Sequence, residues 1–326
     1  FGFLARWNGL AWESLGSEVN DLVEVLLAGG DDLYVAGSFS TAGGVTARNI
    51  ARWDGTAWSA LGEGVGAAVL ALASDGTRLF VGGANNLSHG ELQLGMVAQW
   101  DGQQWRRVGP IGPQGTIRAL AWHRGHLYAA GDFALADNQP ARGIAMFDGT
   151  AWTEVGGGLS DPLSPYGYAL ASDGQSLWVG GTFTRAGTVA ASRIARWDGA
   201  QWHPLGLGVD RRSGTSATVV RALAAHDGEV LVGGTFLAAD GNRTNRQFAR
   251  WRPEGWSSLG PALGFVDGRF SLALESDRGL TYGIEASDDL VTWTRLVTFT
   301  NLTQAVRFLD EQSASRSHRF YRAVSP

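Results

Sequence analysis

The sequence predicts an all-β protein: a β-propeller of four-stranded blades followed by a small β-sandwich. Three observations carry this reading. A phrase built on two tryptophans recurs at near-constant spacing, Asp-Gly pairs punctuate short apolar runs, and the chain is rich in glycine and tryptophan (47 and 14 of 326 residues) with only 17% charged residues. Regular self-similarity at a period of 40–50 residues is the mark of a blade repeat, and Asp-Gly between apolar runs is the chemistry of a tight hairpin.

The phrase is clearest at NIARWDGTAWSALG (49–62) and RIARWDGAQWHPLG (193–206). Its hairpins start at Trp7, Trp53, Trp100, Phe147, Trp197 and Trp251, in steps of 46, 47, 47, 50 and 54 residues. Five positions on stand Trp12, Trp58, Trp105, Trp152, Trp202 and Trp256, and eight positions on comes an aliphatic-Gly pair. Each unit reads as four strands. The first is an apolar run such as VLALAS (69–74), IRALAW (117–122) or VRALAA (220–225), suited to an inner position with both faces covered. The second is LYVAGSF (33–39), LFVGGAN (79–85), LYAAGDF (127–133), LWVGGTF (177–183) or VLVGGTF (230–236), and the Gly-Gly pairs of three of them permit close backbone approach. The third carries the first Trp of the phrase and the fourth the second, so the two rings are cross-strand neighbours on the outer hairpin.

Five complete units run over 17–62, 63–109, 110–156, 157–206 and 207–260, while residues 1–16 supply only a third and a fourth strand. The propeller therefore spans 1–262 with five complete blades and a half blade. Either strands from elsewhere complete the half blade and six blades close, or five blades close and the extra hairpin docks separately. FSLALESDRGLTYGIE (270–285) is a candidate to imitate the missing first and second strands. One unit departs from the rest, since residues 86–95 (NLSHGELQLG) replace the usual connection. From 265 to 326 the repeat gives way to five short strands, FSLALES, TYGIEAS, TWTRLVTF, AVRFLD and HRFYRAVS, read as a fibronectin-like β-sandwich module.

The phrases LYVAGSFSTAGGVTARNIARWDG (33–55) and LWVGGTFTRAGTVAASRIARWDG (177–199) resemble delta-60-type and kelch-like propeller repeats of secreted bacterial proteins, and the repeats of Rax2-like cell-surface proteins. The ending YGIEASDDLVTWTRL…RFYRA resembles a module at the extreme C-terminus of many exported bacterial proteins. These resemblances imply a bacterial protein, extracellular or at the cell surface. They do not specify an activity, because propellers host many.

Chemistry is much less legible. Cysteine is absent, which removes disulfides, thiolate metal sites and thiol nucleophiles. No apolar run reaches membrane-spanning length, and a net charge of -5 without a basic cluster argues against nucleic acid as a partner. The chain begins at Phe1, which reads as a processed or truncated product. His123 and His126, in WHRGH, lack an evident third ligand, so no metal site is assigned. The aspartates recur blade by blade at turns, which explains them without catalysis; no catalytic or cofactor-binding residue is assigned and no cofactor is implied.

Arginine, the sole basic side chain besides histidine, offers the candidates for partner or glycan contact. Arg52, Arg196 and Arg250 (with Arg6) precede the first Trp of their hairpins, while Arg48, Arg142, Arg193 and Arg246 precede the third strand. Arg211, Arg212, Arg243 and Arg246 lie in two loops that interrupt the repeat, 207–218 and 237–247. For the ring positions the simpler reading is stacking on tryptophan or pairing with an acid of the next blade. The functional expectation is a non-enzymatic surface protein of structural or adhesive type, assembling with copies of itself or other surface proteins by strand addition at the half blade 1–16. The alternative is a carbohydrate-binding module that takes a polysaccharide; a propeller glycoside hydrolase or lyase stands third.

Overall fold

The computed structural model describes residues 3–7, 9–15, 19–161, 166–210, 218–226, 228–239, 247–252, 255–257, 263–266, 269–275, 281–288, 292–300, 305–313 and 319–324. Within these the chain is an all-β propeller, and its turns explain its regularity. In the outer hairpin of blade 1 the Asp54 carboxylate accepts from the backbone N–H of Thr56 and Ala57, both at 2.8 Å. Gly55 takes the left-handed φ of 96° that the turn requires. Asp101, Asp148 and Asp198 cap their turns in the same way.

Five sheets share one antiparallel strand order, first to fourth in sequence. Blade 1 comprises Val23–Gly29, Asp32–Gly37, Ile50–Trp53 and Trp58–Ala60. Blade 2 comprises Val69–Ser74, Leu79–His89, Leu92–Trp100 and Trp105–Arg107. Blade 3 continues with Pro113–His123, His126–Ala136, Ile144–Phe147 and Trp152–Glu154. Blade 4 is Gly167–Ser172, Leu177–Gly181, Ile194–Trp197 and Trp202–Pro204, and blade 5 is Val219–His226, Glu229–Thr235, Phe248–Arg252 and Gly255–Ser257. The departing stretch 86–95 has a simple form: the second and third strands of blade 2 run on as one long bulged hairpin to His89 and Leu92. Arg6–Trp7 and Trp12–Glu13 form a separate two-stranded hairpin.

The hydrophobic core is laid down between blades. One cluster joins Phe80 and Val108 of blade 2 to Ile117, Leu127 and Trp152 of blade 3, and equivalent clusters occupy the other junctions up to blades 4 and 5. Another joins Leu15, next to the N-terminal hairpin, to Val35, Phe39 and Trp58 of blade 1.

Two devices draw successive blades together. In blades 1 to 4 the indole N–H of the fourth-strand tryptophan donates to the carbonyl of the aliphatic-Gly pair one unit earlier: Trp58 to Leu15 at 2.8 Å, Trp105 to Leu61 at 2.9 Å, Trp152 to Val108 at 3.0 Å and Trp202 to Val155 at 3.3 Å. The glycine of the pair leaves room for the ring, since a Cβ on Gly109 would stand 2.8 Å from Trp152. The second device lies nearer the axis. In blades 2 and 4 the first glycine of the Gly-Gly pair faces the next blade: a Cβ on Gly82 would come within 2.5 Å of Ile117, and one on Gly180 would collide with Val220. The approach thus comes from the neighbouring blade's first strand.

Beyond the blades lie two three-stranded antiparallel sheets. Leu263–Val266 pairs with Arg269–Glu275, which pairs with Ala305–Leu309; Thr294–Thr300 pairs with Thr281–Ser287, which pairs with Phe320–Val324. The repeat-free stretch predicts five strands here, and Leu263–Val266 is a sixth. The sheets meet through Phe270 stacked on Tyr321 at 3.9 Å.

Candidate functional site

The N-terminal hairpin takes the place of an outer hairpin ahead of blade 1. Trp7 and Trp12 pair across it with centroids 5.7 Å apart, much as Trp53–Trp58 and Trp197–Trp202 do at 5.3 and 5.0 Å. Their surroundings differ. Trp12 is 59% exposed and Trp7 51%, whereas Trp58, Trp105, Trp152 and Trp202, in the slot of Trp12, are 1–9% exposed. Phe3, Leu10, Leu22 and Leu26 are exposed close by in sequence. The far end of the series differs from the inner blades as well. Gly233 of blade 5 is the counterpart of Gly180, yet among the described residues a Cβ there would meet nothing nearer than its own blade's Ala222 at 3.6 Å.

The segment 270–285 does not complete this half blade. Its strands Arg269–Glu275 and Thr281–Ser287 belong to the two terminal sheets, where each already has a partner on both edges. Tyr282 and Ile284 form the buried centre of that region.

Of the arginine candidates, Arg211, Arg212, Arg243 and Arg246 lie outside the described residues. The bases of their two loops are joined by pairing of Val209–Asp210 with Ala238–Ala239. Arg52 meets Asp32 at 2.7 Å, Arg196 donates to Ser176 Oγ at 3.2 Å, and Arg250 lies 3.8 Å from Glu229. Each partner stands at the start of the second strand of the same blade, so the pairing does not cross to the next blade as expected. Burial pushes the Arg250 guanidinium below its ordinary pKa, helped by Arg252 and opposed by Glu229. Arg193 is not equivalent to Arg48 and Arg142. It occupies the next slot along, a left-handed corner with φ 66° that Asn49, Gly143 and Gln247 fill elsewhere.

His123 and His126 are register partners across their turn, but His123 is buried and its Nδ1 lies 2.8 Å from Ser172 Oγ of blade 4. Desolvation pushes its pKa down, so the neutral ring serves as a link between blades. Among the described residues no three His, Asp or Glu side chains gather as metal ligands. The repeated aspartates are held by their turns. The N–H groups of Ala57 and Thr56 lower the Asp54 pKa to about 2, and the equivalent turn donors lower those of Asp101 and Asp148.

A different set of residues, not singled out from the sequence, comes together at the axis. In every blade the pairing of first and second strands slips by one residue: between Val23 and Val25, Val69 and Ala71, Ile117 and Ala119, Gly167 and Ala169, and Val220 and Ala222. The extra residues are Glu24, Leu70, Arg118, Tyr168 and Arg221. All five line one channel of about 550 Å³ bounded by the first strands of all five blades. The bulge depends on the second residue of the second strand's Gly-Gly or Ala-Gly pair, a glycine in each blade. A Cβ on Gly37, Gly131, Gly181 or Gly234 would clash with the carbonyl of Leu22, Thr116, Tyr166 or Val219 just before the slip. The available signal was the one variable letter in a near-constant phrase: VLALA, IRALA, GYALA, VRALA.

No family model matches the chain, and no curated protein does. Solved structures do. The extracellular domain of the one component system BT4673 from B. thetaiotaomicron aligns at TM-score 0.51 and 11% identity over 97% of this chain and 43% of that one. A second structure of an extracellular domain of BT4673, there described as a hybrid two component system, aligns at TM-score 0.47 and 12% identity over 71% of this chain and 28% of that one. The WD40 beta propeller domain of Doa1 aligns at 0.43 and 12% over 89% and 86%. The chain thus spans less than half the length of the two extracellular domains, and at such identities the likeness is one of fold.

Proposed function

We propose that the protein is a non-enzymatic propeller of the bacterial cell exterior that works by protein–protein assembly at its half blade, with a second copy of the chain as the first partner. The observation that carries this is the exposure of Trp7 and Trp12, at 51% and 59%, where blades 1 to 4 bury the counterparts of Trp12 and bury or half-bury those of Trp7. A pair of indoles left in water forgoes roughly 2–3 kcal/mol each relative to full burial, so a partner covering them gains affinity. The two ends of the blade series are unlike, one offering an outer hairpin with exposed tryptophans and the other a first glycine, Gly233, with no neighbouring blade against it among the described residues. Contact between unlike surfaces is heterologous and builds rings or filaments. The placement outside the cell is in keeping with the extracellular domain whose fold the chain shares. The test is sedimentation velocity over a concentration series. Wild type should form dimers or longer assemblies, and Trp7→Ser/Trp12→Ser should shift them to monomer while the melting profile of the blades is retained. A wild-type chain that stays monomeric across the series would refute the proposal.

A further inference from the structure

We propose a second site, independent of the half blade: the axial channel binds a compact ligand bearing a carboxylate or phosphate group, held by Arg118 and Arg221 on the two sides of Tyr168. Blade order sets the arrangement, since Arg118 projects from blade 3, Tyr168 from blade 4 and Arg221 from blade 5, all at the same bulge. The guanidinium carbons lie 4.7 and 5.5 Å from the centre of the Tyr168 ring. They are therefore within about 10 Å of each other, close enough to engage one small molecule together.

Charge accounting makes these two arginines unusual. Elsewhere in the propeller Arg52, Arg78, Arg142 and Arg252 each meet a carboxylate of their own blade. Among the described residues neither Arg118 nor Arg221 has an ion pair or a hydrogen bond, and the Arg118 Nε–H is buried without an acceptor. A buried donor left in this state costs about 1–3 kcal/mol until something accepts from it. Glu24, the single acid lining the channel, pairs with neither guanidinium, and Leu70, Leu120 and Leu223 make much of the remaining wall apolar. A low-dielectric wall strengthens whatever the two forks hold. The tyrosine ring fixes both side chains by cation–π contact, so little rotamer entropy remains to be lost on binding. The volume falls within the range of small-molecule sites. Planar forks of five donors each select oxyanions over neutral groups, and carboxylate and phosphate are the shared chemistry.

Three forms of one sugar separate the sources: glucose, glucuronate and glucose 6-phosphate, each titrated calorimetrically into the full chain, with inorganic phosphate as a fourth probe. The proposal expects binding by at least one charged probe and none by glucose, weakening as salt is raised. Arg118→Gln/Arg221→Gln should lose at least about tenfold in affinity, and the Arg221→Gln change alone, at an exposed position that leaves the fold intact, about fivefold. Glu24→Gln should tighten binding, because it removes the channel's negative charge. Binding by glucuronate with none by either phosphate probe assigns the site to acidic sugars, and the reverse assigns it to phosphates. Failure of all charged probes at ~10 mM, glucose binding equal to theirs, or unchanged affinity in the Arg221→Gln variant would overturn the proposal.

Discussion

Blades 4 and 5 carry the same second-strand phrase, VGGTF, at 179–183 and 232–236, yet its first glycine meets different circumstances in each. At Gly180 the next blade presses in with Val220 and Leu223; at Gly233 the nearest atom belongs to the same blade. Blades 2, 4 and 5 carry this glycine as a socket, where blades 1 and 3 have Ala36 and Ala130, and a neighbouring first strand fills it at Gly82 and Gly180. The tryptophans show the same contrast at the other end, with Trp105 buried and clasped to Leu61 while Trp12 is exposed.

The sharpest way to break this comparison is to truncate the indoles. Trp105→Ala should cost about 3–5 kcal/mol of unfolding free energy, and Trp12→Ala within about 1 kcal/mol under monomeric conditions, both read from urea midpoints. Equal losses would mean that the half hairpin is as integral as a blade. The glycines come next. Gly180→Ala should cost about 1–3 kcal/mol by overpacking, while Gly233→Ala should stay within about 0.5 kcal/mol. The smallest effect separates the hairpin turns. Asp54, Asp101 and Asp148 have carboxyls held below their ordinary value, with Asp54 at about 2, so their stabilisation is present above the ordinary carboxylate pKa near 3.8 and is lost as pH falls towards about 2. The N-terminal hairpin has Asn8 at that position and should show no such loss. Asp54→Asn should flatten the fall in stability between pH 4 and about 2, measured by urea unfolding; an unaltered profile would place the acid sensitivity elsewhere.

What was legible in the sequence was whatever repeats. The two Trp slots, the Asp-Gly turns and the Gly-Gly pairs each obey a local rule, and local rules survive copying, so blade strands and their order were readable. The channel residues were not. Arg118, Tyr168 and Arg221 sit within apolar runs, and strict alternation says nothing of a one-residue slip that re-aims a side chain. The slip is enforced from the neighbouring strand, by glycines about 13 positions away in sequence. For Arg52 and Arg250 ring symmetry suggests stacking on tryptophan or pairing with an acid of the next blade; the acids beside them stand instead at the first turn of their own blades. The fate of 270–285 was unreadable for a different reason. Two apolar strands suit an inner blade position and a terminal sheet equally well, and only the competing partners Leu263–Val266 and Phe320–Val324 decide.

The indole clasps also have a direction. Each tryptophan reaches back to a carbonyl made 43–47 residues earlier, from Leu15 through Val155, and none of these four reaches forward. As the polypeptide emerges from a ribosome or a translocation pore, every new outer hairpin meets a landing place that already exists. Each outer hairpin can therefore clasp the unit before it without waiting for residues still to come, whereas the sockets at Gly82 and Gly180 are filled only when the first strand of the following blade arrives.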